Sequence, residues 1–247
     1  MRETMKACER LVRLAPLACL PLTTLAAEPQ NSASPEAHES RAEWMRGGCG
    51  IMVHWLYPKT GEIDTWVDAF DLNGFLSDFD RTGADWLIFT IGQNRGAYAS
   101  PSATIEKYAG PGHCSRRDLV LEIARAIKAR GKRFIAYIPS EIKANPTMHA
   151  GFRWNDDDAD RHDFQNRWTE LLEEWSRRLG GNCDGWWLDG SSKRFHPNGL
   201  DIALWTKRLR AGNGRAVLAH NPGMRLYNDL FGSDYTAGET CFIREAP

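Results

Sequence analysis

Short apolar runs alternate with longer amphipathic stretches from Trp44 onward, and this alternation predicts the elements of the fold. Apolar runs predict strands at residues 50–55, 85–92, 133–139, 184–189 and 216–220, and residues 231–240 are a sixth candidate. Apolar positions at helical spacing predict helices at residues 66–79, 116–130, 163–179 and 200–209. The chain therefore follows a repeated strand–helix order.

Strands that are apolar throughout and separated by helices indicate parallel pairing through right-handed crossovers. We therefore predict an α/β fold, a (β/α)8 TIM-like barrel of which five to six β/α units are visible. No G-x-G-x-x-G follows the first strand, which argues against a dinucleotide-binding sheet. A full barrel usually needs ~250 residues, so we expect this one to be incomplete, closed by a partner or truncated at its C-terminus.

The N-terminus differs in composition from the rest of the chain. A basic head at residues 2–13 precedes an apolar run at residues 14–27, the pattern of a secretory signal peptide. The run is short and interrupted by Pro16 and Pro21, so we expect no membrane span. The protein is predicted to be exported to the periplasm or the extracellular space. Lipid anchoring at Cys19 is the less favoured alternative.

Three segments follow from this pattern: a signal peptide at residues 1–27, a polar linker at 28–43 and a barrel catalytic domain at 44–247. The formal net charge of -1 gives no indication of a nucleic-acid partner. Ten tryptophans offer surfaces for stacking on sugars, although tryptophan is also ordinary core material. The composition is thus compatible with a carbohydrate partner but does not by itself indicate one.

Polar residues follow nearly every predicted strand, at the end where barrel enzymes place their chemistry. They are His54 with Trp55, Gln93 with Asn94, Glu141, Asp189, His220 with Asn221, and Asp234 with Glu239. Such groups can bind sugar hydroxyls or a glycosidic oxygen. The set as a whole is more specific than any one member.

Asp189 is the sharpest candidate, because it ends the apolar run Trp186–Leu188 and its carboxylate is expected to be partly desolvated. Such a group can act as a nucleophile or a general base. The pattern fits equally a turn aspartate before Gly190. Trp187 is a candidate for contact with a sugar ring.

Glycoside hydrolysis needs a second carboxylate, ~5–5.5 Å from the first in retaining enzymes and ~6.5–9.5 Å in inverting ones. Glu239, Glu141 and Glu62 are the candidates, and each taken alone is more often a solvated surface residue. The acidic run at residues 156–160 lacks the spacing of an EF-hand loop and suits the start of a helix. We therefore expect no metal and no cofactor.

Four segments resemble the alpha-L-fucosidases in order and rough spacing. They are GIMVHW at residues 50–55, RDLV at 117–120, WLDG at 187–190 and GSDYTAGE at 232–239. The resemblance implies a barrel fold and makes Asp189 the nucleophile of a retaining mechanism. It does not fix the acid/base residue, for which Glu239 is the first choice.

The chain departs from the family pattern in the expected sugar pocket. Family members carry His-His-Asp-Gly-Phe after the second strand, where this chain has Gly92-Gln93-Asn94-Arg95. Leu56 replaces the glycine that usually follows His-Trp. These replacements leave the identity of the sugar open.

The resemblance implies an exo-acting glycoside hydrolase that acts on a fucosylated or related glycan. His54, Trp55, Gln93 and Asn94 would orient the sugar through hydrogen bonds and stacking, and Glu141 is a further substrate-binding candidate. The alternative is a non-catalytic carbohydrate-binding relative of the same fold, which the altered histidine pair and the short barrel motivate.

Overall fold

The computed structural model describes residues 40–56, 62–223 and 232–237, which all belong to one compact unit, residues 32–247. Five strands form an all-parallel sheet, and two further strands form an antiparallel pair. In chain order they are β1 Gly50–Val53, β2 Trp86–Thr90, β3 Gly92–Gln93, β4 Ala97–Tyr98, β5 Arg133–Pro139, β6 Gly185–Asp189 and β7 Val217–His220. The large sheet has the order β1-β2-β5-β6-β7, and β3 pairs with β4.

The five strands predicted from apolar runs and their parallel pairing are confirmed. The first strand ends at Val53, so His54 and Trp55 follow it instead of ending it. Residues 232–237 form no strand, and the rest of the proposed sixth strand lies outside the described residues. Closure into a barrel stays a prediction.

The described residues form seven α-helices. They are α1 Ile63–Asp68, α2 Leu72–Thr82, α3 Ala103–Ala109, α4 Leu119–Ala129, α5 Pro146–Gly151, α6 His162–Leu179 and α7 Ile202–Leu209. The prediction of one helix at residues 66–79 was wrong, since α1 and α2 are separate. The carboxylate of Asp71 accepts the backbone N–H of Gly74 at 2.9 Å and so starts a new helix. The sequence analysis also missed α3 and α5, which have only seven and six residues.

Side chains alternate between the two faces of the sheet and form two apolar clusters. On one face, residues such as Phe89, Ile138 and Leu188 pack against the helices. The opposite face, called here the inner face, carries Ile88, Ile135, Tyr137, Trp187, Val217 and Ala219, packed with Trp44, Met45, Tyr235 and Ala237. The same alternation places Asp189 on the inner face, two residues beyond Trp187.

Asp234, expected at the end of a sixth strand, has a fully buried side chain that ties three segments together. It pairs with Arg41 at 3.0 Å and Arg210 at 2.6 Å, and it accepts the N–H of Leu218 at 2.8 Å. It therefore anchors the chain beside β7 and is not accessible to a substrate. Within the described residues, none of the helices has the length and apolarity needed to cross a bilayer.

Candidate active site

The carboxylate of Asp189 is held at the C-terminal end of β6 by three uncharged donors. Oδ1 accepts the Asn221 side-chain amide at 2.9 Å and the Gly190 backbone N–H at 2.9 Å. Oδ2 accepts the hydroxyl of Tyr137. Among the described residues, no Lys, Arg or His forms an ion pair with Asp189. These donors thus fix the orientation of the carboxylate and do not pair it with a positive charge.

Tyr137 brings several predicted site residues next to Asp189. It is the register partner of Trp187, and their rings stack with centroids 5.0 Å apart and planes 18° apart. The His54 ring lies 4.7 Å from it on a tilted plane. Gln93 donates from Nε2 to the Tyr137 hydroxyl at 2.5 Å, and the same nitrogen contacts His54 Nε2. The structure therefore joins His54, Gln93 and Trp187 to the carboxylate.

Glu141 lies beside Gly190, the residue that follows Asp189, and its carboxylate has partners of its own. Its side chain accepts the Asn94 amide at 2.7 Å and the Lys143 backbone N–H at 2.7 Å, and the residue is 4% exposed. Gly190 has a φ of +74°, and a Cβ placed there would lie 3.1 Å from Glu141 Cγ. Glycine thus permits both the turn after Asp189 and the close approach of Glu141.

Trp55 is placed differently from the expectation of a sugar contact. Its ring packs against Phe70 and Phe89, with centroids 4.8 and 6.0 Å away, as part of the helix-side core. Its carbonyl accepts the hydroxyl of Thr90 at 2.8 Å. The structure accordingly places Trp55 as support for β2, and its role in sugar binding stays a prediction.

Glu239 and Glu62 are the two other carboxylates considered for acid/base catalysis. Glu239 lies outside the described residues. Glu62 is exposed at the residue before α1, and its side chain makes no cap hydrogen bond to that helix. The position of the acid/base group therefore stays a prediction.

A neutral layer beneath the site supports the backbone of Asp189. Both the N–H and the hydroxyl of Ser140 donate to the Asp189 carbonyl, at 2.6 and 2.7 Å. His196 contacts the Ser140 carbonyl through Nε2 at 2.9 Å. Desolvation by burial lowers the pKa of His196 to about 3 and that of His220 to about 4. Both imidazoles are neutral at neutral pH, so they add no cation near Asp189.

The sequence analysis missed Tyr137, although a signal for it exists. Parallel register pairs Tyr137 with Trp187 on the same face, and both precede the strand end by two residues. Asn221 was noted only as part of a strand end, yet it donates directly to Asp189. Side-chain alternation along neighbouring strands would have indicated both residues.

The acidic run before α6 behaves as the helix-start interpretation expects. Asp158 accepts the backbone N–H groups of Asp160 and His162, each at 3.0 Å. Ligand-type atoms of these three residues lie within 4.8 Å of one another on the surface. The carboxylate of Asp158 is thus occupied in forming the turn that leads into the helix.

Comparison with known proteins shows a fold shared with glycosidases. No protein-family model matches the chain, and no curated protein sequence matches it. The structure resembles an endo-fucoidan hydrolase, MfFcnA4, from glycoside hydrolase family 107, with a TM-score of 0.63 and 18% identity over 83% of this chain and 37% of that one. It also resembles alpha-L-fucosidase isoenzyme 1 from Paenibacillus thiaminolyticus, with a TM-score of 0.53 and 15% identity over 77% of this chain and 57% of that one.

A further similar structure is the endo-fucoidan hydrolase P5AFcnA from family 107, with a TM-score of 0.57 and 20% identity over 77% of this chain and 53% of that one. The chain therefore spans between about a third and three fifths of the length of these proteins. At such identities the similarity establishes a shared α/β fold, and it assigns no activity to this chain.

Proposed function

We propose that this protein is a retaining glycoside hydrolase that acts on fucose-containing glycans, with Asp189 as the nucleophile. The observation that carries the proposal is the Asp189 carboxylate, which Tyr137, Asn221 and the Gly190 N–H hold at a strand end with no cationic partner among the residues the structure describes. Uncharged donors orient a carboxylate and leave its charge available to a positive reaction centre. A structural aspartate would be expected to have a cation beside it when desolvated.

In the proposed reaction an oxygen of Asp189 attacks the anomeric carbon, and the bond to the leaving oxygen breaks as the glycosyl ester forms. A second carboxylic acid gives its proton to that leaving oxygen. The resulting carboxylate then takes a proton from water, which attacks the anomeric carbon and releases Asp189. Glu239 is the first choice for this acid/base role and Glu141 the second.

Two lines of support indicate the substrate class. The sequence segments resemble alpha-L-fucosidases, and similar solved structures are named as endo-fucoidan hydrolases or alpha-L-fucosidases. The resemblance favours exo action on a terminal sugar, whereas the fucoidan hydrolases are named as endo-acting. The (β/α)8 barrel is part of the same proposal, with the five parallel strands as its described portion.

The test is hydrolysis of an aryl alpha-L-fucoside and of fucoidan oligosaccharides by the wild-type chain and by Asp189→Asn. We expect turnover that falls at least about a thousandfold in the variant, because the nucleophile is lost. Asp189→Ala with added azide should release a fucosyl azide of inverted configuration. Binding of the glycans without turnover by a cooperatively folded wild-type chain would instead favour the non-catalytic carbohydrate-binding relative.

The acid/base residue can be assigned by the leaving-group dependence of three variants. Loss of the acid slows substrates with poor leaving groups much more than activated aryl fucosides. We expect this pattern for Glu239→Gln. The same pattern in Glu141→Gln would transfer the role to Glu141, and Glu62→Gln serves as the exposed control.

A further inference from the structure

We propose that Tyr137 is a positioning residue whose hydroxyl, directed by the Gln93 amide, holds Asp189 in the orientation for attack. This inference rests on the function proposed above and gives Tyr137 and Gln93 specific parts in it. Tyr137 connects the antiparallel pair β3–β4, which carries Gln93, to the end of β6. The connection runs across the inner face of the sheet.

With the Gln93 amide as the structure orients it, the hydrogen bonds run in one direction, from Gln93 through Tyr137 to Asp189. Gln93 Nε2 can only donate, so the Tyr137 oxygen 2.5 Å away accepts from it. The single hydroxyl proton of Tyr137 then goes to Asp189 Oδ2, since an ionised carboxylate can only accept. Gln93 Oε1 faces the backbone N–H of Asn94 at 3.4 Å, which agrees with this orientation of the amide.

Tyr137 is itself held rigidly, which a positioning role requires. Its side chain is 1% exposed, and its ring lies against those of Trp187 and His54. Asp189 Oδ1 has its own donors, so the Tyr137 hydroxyl completes the set that fixes both oxygens of the carboxylate. A displacement of a reacting atom by about 1 Å can lower a rate by about a hundredfold.

Three variants separate this role from simple packing. Tyr137→Phe removes the donor to Asp189 and keeps the ring. Gln93→Glu replaces a donor by an acceptor, which draws the Tyr137 proton away from Asp189. Gln93→Met removes the donor without adding a charge, and so tests the same link should the glutamate variant fold poorly.

The matched control is Tyr98→Phe. Tyr98 is fully buried, and its hydroxyl has no hydrogen-bond partner among the described residues. Removing that hydroxyl should leave kcat and KM unchanged. We expect kcat to fall roughly ten- to a hundredfold in Tyr137→Phe and Gln93→Glu, with KM within about threefold of wild type.

A readout that needs no turnover is the hydroxyl proton resonance of Tyr137 in the full chain. It should vanish in Tyr137→Phe, shift in Asp189→Asn and in Gln93→Glu, and stay in Tyr98→Phe. Wild-type kcat in folded Tyr137→Phe would overturn the positioning role. So would a change in KM as large as the change in kcat in the Tyr137 and Gln93 variants. Absence of turnover in wild type would overturn the proposed function, and an unmoved resonance would then also reject the hydrogen-bond chain.

Discussion

Two aspartates flank β6, and the structure surrounds them with opposite kinds of partner. Asp184, just before the strand, accepts Lys128 at 2.8 and 2.9 Å, Arg133 at 2.8 Å and the N–H of Phe134 at 3.0 Å. Asp189, at the far end, accepts only uncharged donors from the described residues. Asp184 is buried and Asp189 is half-buried, and within the described part of the chain only Asp184 has cations beside it.

Under the proposed function, this difference separates a structural carboxylate, Asp184, from a reactive one, Asp189. A buried carboxylate beside cations joins distant parts of the chain. Its charge is already paired, so it attracts a substrate only weakly. A charge oriented by dipoles keeps its attraction for a developing positive centre. The proposal therefore assigns stability to the N-terminal end of β6 and catalysis to its C-terminal end.

The largest expected effect is at Asp189, where a substitution should remove activity and leave stability nearly unchanged. Asp189→Asn should abolish turnover while changing the free energy of unfolding by no more than about 1 kcal/mol, since an amide can keep part of the hydrogen bonding. Urea unfolding beside the fucoside assay checks both quantities. A loss of stability as large as that of an Asp184 variant would contradict the comparison.

Asp184→Asn should show the reverse behaviour. The change leaves Lys128 and Arg133 without their shared carboxylate, and both remain partly exposed to water, so we expect a loss of about 2–3 kcal/mol in unfolding free energy. Turnover per folded molecule should stay close to wild type. A variant that keeps its stability but loses kcat would show that the two ends of β6 are not separate in function.

The sequence predicted the strands, and it singled out Asp189 as a candidate, because both inferences use local pattern. The uninterrupted apolar runs define β2, β5 and β6, and the polar residue ending an apolar run marks Asp189. The contacts around Asp189 depend on how the strands align, because Tyr137 and Asn221 lie 52 and 32 residues from Asp189 along the chain. The local pattern marks Asp189, but it does not show which side chains surround Asp184 and Asp189, because those partners come from residues distant in sequence.

The neutral histidines beneath the site predict a specific dependence of stability on pH. Burial lowers the pKa of His196 to about 3, below its ordinary 6.5, so the unfolded chain binds its proton first as the pH falls. The stabilisation is complete above about pH 6.5 and is lost progressively toward pH 3. Between pH 7.5 and 5.0, His196 accounts for a fall of about 2 kcal/mol in the free energy of unfolding.

Urea unfolding of wild type and His196→Gln at these two pH values measures that contribution. The fall in unfolding free energy on acidification should be about 2 kcal/mol smaller in the variant. Glutamine can still donate to the Ser140 carbonyl, so the hydrogen bond is not what the comparison removes. Equal falls in both proteins would mean that His196 is protonated in the folded state.

The smallest expected effect concerns how much stability Lys128 and Arg133 each contribute through Asp184. Lys128 is 26% exposed at its side chain and Arg133 is 45% exposed, so each alone is a partly solvated partner. Lys128→Gln should cost about 1 kcal/mol, and Arg133→Gln less, because water screens the more exposed pair. The double variant should cost more than the sum, since only then does Asp184 lose every cation shown beside it. Strict additivity in unfolding free energy would mean that Asp184 tolerates uncharged surroundings as Asp189 does. The two ends of β6 would then differ only in how accessible their carboxylates are.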